Sequence, residues 1–148
     1  MSLDSDLLTS LFPYAHYHAD WNLVTWHPVG ELDNTRADRM VEFLEWQEHI
    51  GGAYFHRYLD MTGYTRIRIG LDHIVRLARR RRAYRGAPVK SAFYAVRPLM
   101  LSIAHMYNEL MAGSRIEVCT FAERVAAAEW LGVPVGILDR PEKERYEG

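Results

Sequence analysis

The spacing of hydrophobic and polar positions changes repeatedly in the second half of the chain, and this change predicts alternating strands and helices. Residues 90–96 are an apolar run rich in aromatic and β-branched types, which is typical of a strand. Residues 98–111 have helical periodicity, residues 116–121 have a strand composition, and residues 122–131 are again helical. Such alternation predicts parallel strands joined by crossover helices. We therefore expect an α/β domain.

The first half of the chain predicts a hairpin before that alternation begins. Residues 14–19 and 23–27 alternate side chains on either side of Asp20-Trp21-Asn22, as the strands of an antiparallel hairpin do. The elements expected after it are a loop at residues 29–34, a helix capped by Thr35 and ended by Gly51-Gly52, a strand at residues 53–59, a connection at residues 60–70 and a helix at residues 71–84.

Two details of the helices are also predicted from spacing. Thr120 and Glu123 have the spacing of a capping box, so each side chain is expected to accept the other residue's backbone N–H at the start of the last helix. Helical periodicity predicts the buried faces: Leu71, Ile74, Val75 and Ala78 in one helix, and Leu99, Ile103, Met106 and Leu110 in the next, widened by Met100 and Tyr107.

These elements give a mixed sheet whose antiparallel edge comes from the first strand. The 148 residues, 49% of them hydrophobic, are enough for one domain with its own core. We divide the chain into an N-terminal extension at residues 1–13, the domain at residues 14–133 and a C-terminal tail at residues 134–148, of which residues 137–148 are expected to be mobile.

Composition narrows the classes of function and location. A formal net charge of -1 argues against a generally basic nucleic-acid-binding protein. The single cysteine, Cys119, allows no disulfide within the chain and is expected to be a small core residue in a reducing compartment. No apolar stretch approaches the roughly 20 residues that span a bilayer, and no secretory signal is recognisable. We therefore expect a cytoplasmic protein.

Several segments between residues 14 and 133 carry a resemblance to a known fold group. They are Leu59-Asp60-Met61-Thr62-Gly63, Ala104-His105-Met106-Tyr107-Asn108-Glu109-Leu110, Gly113, Ile116-Glu117-Val118, Phe121 and Ala128-Glu129-Trp130-Leu131-Gly132. With these residues in this order, the chain resembles the STAS-like group, which is related in fold to bacterial anti-sigma-factor antagonists, and within it a branch of small uncharacterised bacterial proteins.

One departure from that group limits what the resemblance implies. True antagonists carry a phosphorylatable Ser or Thr just before a Gly at the start of a helix, whereas here Arg68 and Ile69 precede Gly70. The phosphorylation switch is therefore not carried over. The resemblance implies a STAS-like α/β fold used to dock proteins or to bind small or lipid-like ligands, without catalysis and without a cofactor.

The carboxyl ends of the parallel strands are the first candidate site, because ligands of open α/β sheets bind there. Helix N-termini predicted after Arg97 and Thr120 would add unpaired N–H groups that suit an anion. The ordinary roles of these residues, as caps, turn residues and solvated charges, remain the alternative. The candidate ligand- or partner-binding residues are Asp60, Thr62, Gly63, Tyr64, Arg97 and Thr120.

Two further groups of residues define the alternative hypotheses. Residues 76–85 contain an arginine run in which Arg76, Arg79 and Arg80 lie opposite the predicted apolar stripe, where they would contact an anionic surface or cap the helix end. His16 and His18 share one side of a strand, and His27 joins them only if the hairpin register allows it, so that a zinc site is a further alternative.

We therefore expect a non-catalytic domain that binds a protein partner or a small, lipid-like ligand in a regulatory role. The soft side chains Phe43, Trp46, Met100, Met106, Tyr107 and Met111 would suit an apolar pocket between helices and sheet. The alternatives are a metal-dependent enzyme that uses the three histidines and an adaptor that uses the arginine run. Sequence-specific nucleic-acid binding is not expected, and a homodimer remains open.

Overall fold

The fold is an α/β sandwich with a central mixed sheet, and a computed structural model describes residues 3, 5–50, 52 and 54–141 of it. The helices are α1 (Ser5–Leu11), α2 (Asn34–Ile50), α3 (Leu71–Arg82), α4 (Pro98–Leu110) and α5 (Arg124–Leu131). The strands are β1 (Ala15–His18), β2 (Leu23–Trp26), β3 (Gly30–Asp33), β4 (His56–Asp60), β5 (Tyr64–Arg68), β6 (Val89–Tyr94) and β7 (Ile116–Phe121).

The main sheet has the strand order β1-β2-β4-β6-β7. β1 pairs antiparallel with β2, and every later pairing in this sheet is parallel. The predicted α/β class, the N-terminal hairpin and the antiparallel edge are therefore confirmed. Among the described residues, no helix has both the length and the apolar character needed to cross a membrane.

Side chains of the central strands alternate between two separate apolar layers, as strand geometry requires. On β4, Leu59 faces a layer that contains Val41, Leu77 and Ala104 from the helices α2, α3 and α4. The neighbouring Tyr58 faces the opposite layer, which contains residues of α5. Every candidate site is positioned by this division of the sheet into two faces.

A second sheet lies in segments that the sequence predicts as loop and connection. β3 and β5 pair in parallel within residues 29–34 and 60–70, so both expectations were wrong. Of β5, the side chains of Thr65, Arg66 and Arg68 are exposed, and the apolar signal of so short and polar a strand is weak. The buried Leu32 and Tyr64 attach this small sheet to the core.

The predicted caps are also corrected. The side chain of Asp33, and not that of Thr35, accepts the backbone N–H of Arg36 at the start of α2, at 2.8 Å. At the last helix, β7 continues through Phe121 and α5 begins only at Arg124, with no capping bond from a side chain. Thr120 therefore lies inside a strand, and its buried hydroxyl has no hydrogen-bond partner among the described residues.

The buried stripe of α3 shares Ile74 and Ala78 with the predicted one, and that of α4 shares Met100. Leu71 is 64% exposed and Leu99 is 59% exposed, although both were expected in the core. The buried residues of α3 include Leu77 and Arg81, and hydropathy alone does not place an arginine in a core. In α4 the buried residues are Met100 and Ala104.

Both predicted terminal segments contribute to the core. Leu8 of α1 and the following Phe12 are buried in a cluster with Phe43 and Phe55. Leu138, in a short 3-10 turn after α5, is 0% exposed, so the described start of the tail packs on the domain. The rest of the predicted tail, residues 142–148, lies outside the described residues.

Candidate functional site

The sheet separates the binding residues predicted at the carboxyl ends of the strands. We call this set the predicted corner: Asp60, Thr62, Gly63, Tyr64, Arg97 and Thr120. Asp60 is paired in register with Tyr94, whose side chain packs with the layer on the α5 face. Thr120 is paired with Phe93, which packs with the opposite layer. Because paired residues of parallel strands share a face, Asp60 and Thr120 lie on opposite sides of the sheet. The predicted corner is not one site.

Three other residues of the predicted corner, Arg97, Tyr64 and Gly63, have structural roles. Arg97 donates a hydrogen bond from Nη2 to the backbone carbonyl of Tyr64. The Tyr64 side chain is buried, and burial raises the pKa of its phenol above the ordinary value. A Cβ on Gly63 would lie 2.3 Å from the Pro28 carbonyl oxygen, so glycine is needed there for close packing.

Asp60 and Thr62 do line a polar cleft at the carboxyl ends of β4 and β6. One carboxylate oxygen of Asp60 accepts the backbone N–H of Thr62 at 2.8 Å and its hydroxyl at 2.6 Å. Arg124 and Asp139 form an ion pair across the same cleft. Its charges are therefore largely matched internally. The cleft has a volume of about 470 Å³ and is lined by Asp60, Thr62, Tyr94, Arg124, Asp139 and Arg140.

The hairpin histidines share a face, and two of them, His18 and His27, contact protein groups. The β1–β2 register opposes His16 to Thr25, which puts His16, His18 and His27 on the same side. His18 Nε2 lies 2.8 Å from the Thr25 hydroxyl, and the buried His27 donates from Nε2 to the Leu138 carbonyl at 2.8 Å. Burial, followed by the nearby histidines, lowers the pKa of His18. The described residues contain no group of three side chains placed to hold a metal ion.

The predicted anionic-surface residues have unequal surroundings. Arg80 forms an ion pair with Glu45, with 2.5 Å between Nη2 and Oε1. Arg76 contacts the ring of His73 at 3.2 Å through Nη2. Arg79 instead lines a cleft at the far end of α3. The run therefore does not present one uniform basic face.

A buried cluster of Glu48, Arg57 and Arg81 lies between the helices and the sheet, and the sequence analysis did not predict it. Arg81 binds the Glu48 carboxylate through both terminal nitrogens, at 2.9 and 2.6 Å, and only 2% of its side chain is exposed. Arg57, on the central strand β4, reaches the same carboxylate at 3.4 Å. One carboxylate therefore serves two guanidinium groups.

This Glu48–Arg57–Arg81 cluster contains two guanidinium groups and one carboxylate. Burial, with a further contribution from Arg81, lowers the pKa of Arg57 to about 10, which is still well above neutrality. The cluster accordingly holds one positive charge in excess. Buried charges are costly unless they are paired, so an excess charge in a core requires an explanation.

The cluster borders an apolar cavity of about 160 Å³ between the sheet and the helices α2, α3 and α4. Among the lining residues that the structure describes, the charged ones are Arg57 and Arg81, and Glu48 is not among them. Phe43 and Tyr107 of the predicted apolar pocket line this cavity, whereas Trp46 is exposed at the surface. The cavity thus combines apolar walls with two cationic groups.

Cys119 offers no sign of an activated nucleophile. It is half-buried on β7 and unpaired, and burial raises the pKa of its thiol. Because the thiolate is the reactive form, this environment disfavours reactivity.

Comparisons with known proteins assign no function to this chain. No protein-family model matches the chain, and no curated protein matches it. Among solved structures, the chain is similar to an uncharacterized protein of the DUF3478 family with a SpoIIAA-like fold from Shewanella loihica PV-4, at 16% identity and a TM-score of 0.47. The similarity covers 74% of this chain and 83% of that one. No function is carried over from that protein.

Proposed function

We propose that this chain is a non-catalytic, regulatory binding domain for a small carboxylic acid with an apolar body. The ligand lies in the core cavity with its carboxylate against Arg57 and Arg81. One observation supports the proposal: the charged lining residues among those described are two arginines that share a single carboxylate outside the lining.

The charge excess favours an anion over a neutral ligand. Two unit charges about 4 Å apart attract each other by about 4 kcal/mol at an effective dielectric constant of about 20. Arg57 is the more weakly paired of the two arginines, because it reaches Glu48 at 3.4 Å while Arg81 binds the same carboxylate through two hydrogen bonds. A ligand carboxylate would complete the pairing of Arg57.

The volume of the cavity sets the size of the ligand. An apolar cavity of about 150 Å³ binds benzene in a well-studied engineered protein. The cavity of about 160 Å³ in this protein is of that size, and its walls are largely hydrophobic. We therefore expect an apolar body of about six to eight carbons and choose benzoate as the probe.

Calorimetric titration with benzoate and with benzyl alcohol tests the proposal, because the two molecules share a body and differ in charge. Benzoate should bind, and benzyl alcohol should bind at least about tenfold more weakly, a difference of about 1.4 kcal/mol. Ala104→Leu should abolish benzoate binding, since Ala104 lines the cavity and the added atoms fill it. Ala112→Leu, at an exposed position just after α4, is the matched control and should bind as the wild type does.

Arg57→Leu separates recognition of the charge from simple filling of the cavity. The variant keeps the neutral, bidentate Arg81–Glu48 pair, so it should fold. It should bind benzyl alcohol as the wild type does and lose the preference for benzoate. Absence of benzoate binding to the wild type, or benzoate binding that Ala104→Leu leaves intact, would overturn the proposed function.

Protein docking through the loops at the carboxyl ends of the strands, a cytoplasmic location and the metal-enzyme alternative remain predictions from the sequence.

A further inference from the structure

A second cleft, at the end of α3 and the turn between α4 and β7, is lined by four arginines. Its volume is about 570 Å³, and it shares no lining residue with the core cavity. No carboxylate occurs among the described residues that line it. The lining residues are Arg79, Arg82, Ala83, Arg85, Gly113, Ser114 and Arg115.

Backbone carbonyls, and not carboxylates, hold three of these arginines in place. Arg82 donates to the carbonyls of Leu110 and Ala112 at 3.1 and 2.7 Å. Arg85 donates to the carbonyl of Arg82 at 2.9 Å, and Arg115 donates to the carbonyl of Gly86, in the loop after α3, at 3.3 Å. All of these bonds use the Nη1 nitrogen, so the other donors of each guanidinium group remain for a ligand.

The helix ends do not neutralise this charge. α3 ends at Arg82 and α4 ends at Leu110, so two helix C-termini border the cleft. Each helix C-terminus carries about half a negative charge, about one unit in total, against four positive charges. Capping of the helices explains one or two of the arginines and leaves an excess of about two to three charges.

We infer that this four-arginine cleft binds a small molecule that carries two or more linked phosphate groups. Guanidinium groups recognise phosphate oxygens through paired, charge-assisted hydrogen bonds. The volume of the cleft, about 570 Å³, lies within the range for small ligands. The inference concerns a site separate from the one in the proposed function and does not depend on it.

Titration with inorganic pyrophosphate, compared with monophosphate, is the direct test. The wild type should bind pyrophosphate at physiological ionic strength at least about tenfold more tightly than monophosphate. The double variant Arg79→Gln/Arg115→Gln should lose at least tenfold in pyrophosphate affinity. Arg76→Gln, an exposed arginine of the same helix that lies outside the cleft, is the matched control and should stay within twofold of wild type.

Two further measurements distinguish the sources of the phosphate and the competing partners. Pelleting with vesicles that contain a phosphoinositide, against vesicles of phosphatidylcholine alone, shows whether a lipid headgroup can supply the phosphates; a soluble source is supported if only free pyrophosphate binds. Equal loss of affinity in the Arg76→Gln control would overturn the inference, because it would indicate a diffuse charge effect. Binding of single-stranded RNA without any binding of pyrophosphate would overturn it as well.

Discussion

At the scale of single residues, Glu48 is the side chain on which the charged core depends. It lies between Arg57 and Arg81 and is the carboxylate that both guanidinium groups contact. Removing one member of a buried ion pair costs far more than the pair contributes, because the remaining charge is left without a partner. The identity of residue 48 should therefore matter more to stability than that of any exposed acid.

Glu48→Gln should lower the free energy of unfolding by about 3 kcal/mol or more, because two buried guanidinium groups would lose their carboxylate. Glu45→Gln, which breaks the exposed pair with Arg80, should lower it by no more than about 1 kcal/mol. Urea unfolding of the two variants beside the wild type measures both values. Similar, small losses in both would contradict the charged-core account.

His56 gives the stability a pH dependence. Its Nδ1 accepts the backbone N–H of Lys90 at 2.9 Å, which requires an unprotonated nitrogen. Burial, and then Lys90 and Arg57, lower the pKa of this ring below 6.5. As the pH falls below about 6.5, the unfolded chain gains a proton that folded His56 resists, so this contribution to stability is lost.

His56→Gln should therefore lose less stability than the wild type between about pH 7 and about pH 5. His105→Gln, at an exposed position on α4, should follow the wild-type curve. Denaturant unfolding at a series of pH values gives the comparison. A His56→Gln curve that parallels the wild type throughout would show that the His56 ring does not contribute.

At the scale of secondary-structure elements, the strands of the main sheet lie where the sequence pattern predicts them. The helix caps and the buried helix faces differ from the prediction. The predicted strand at residues 116–121 coincides with β7, because it is an apolar run bounded by turn residues. The start of α2 differs because two residues near it, Asp33 and Thr35, are both good caps by type. Only the backbone geometry after β3, a strand with little apolar signal, selects Asp33.

Asp33→Ala and Thr35→Ala test that assignment against each other. Asp33→Ala should lower the free energy of unfolding by about 1 kcal/mol, because the N–H of Arg36 loses its acceptor. Thr35→Ala should change it by less than about 0.5 kcal/mol, since Thr35 is exposed within the first turn. Thermal unfolding of both variants measures the two losses of stability. A larger loss in Thr35→Ala than in Asp33→Ala would support Thr35, the cap predicted from the sequence.

The buried arginines show why the charged cluster beside the core cavity was not predicted. Arg81 follows Ile74, Leu77 and Ala78 with a helical spacing that places all four on one face. A buried face predicted from hydropathy does not include an arginine. The helical spacing between Ile74 and Arg81 would nevertheless have indicated that Arg81 is buried. Pairing with Glu48, 33 residues earlier, depends on how α2 and α3 pack, and a single sequence does not contain that information.

At the scale of the whole molecule, the sheet divides the chain into two environments. The α5 face carries the hairpin histidines and the polar cleft around Asp60. The opposite face carries the cavity and the Glu48–Arg57–Arg81 cluster. The order of elements was predictable from the sequence, but the face on which each candidate residue lies depends on strand register. The residues of the predicted corner do not meet for this reason. Asp60 is paired with Tyr94 and Thr120 with the preceding Phe93, so the two side chains lie on opposite faces.

A crystal structure of the protein grown with 4-bromobenzoate would show where the ligand binds, because bromine can be located by its anomalous scattering. We expect a bromine peak inside the cavity between the sheet and α2–α4, with the carboxylate within hydrogen-bonding distance of Arg57 or Arg81. Bromine found only at the surface or in the polar cleft beside Asp60, under saturating conditions, would contradict the proposed function.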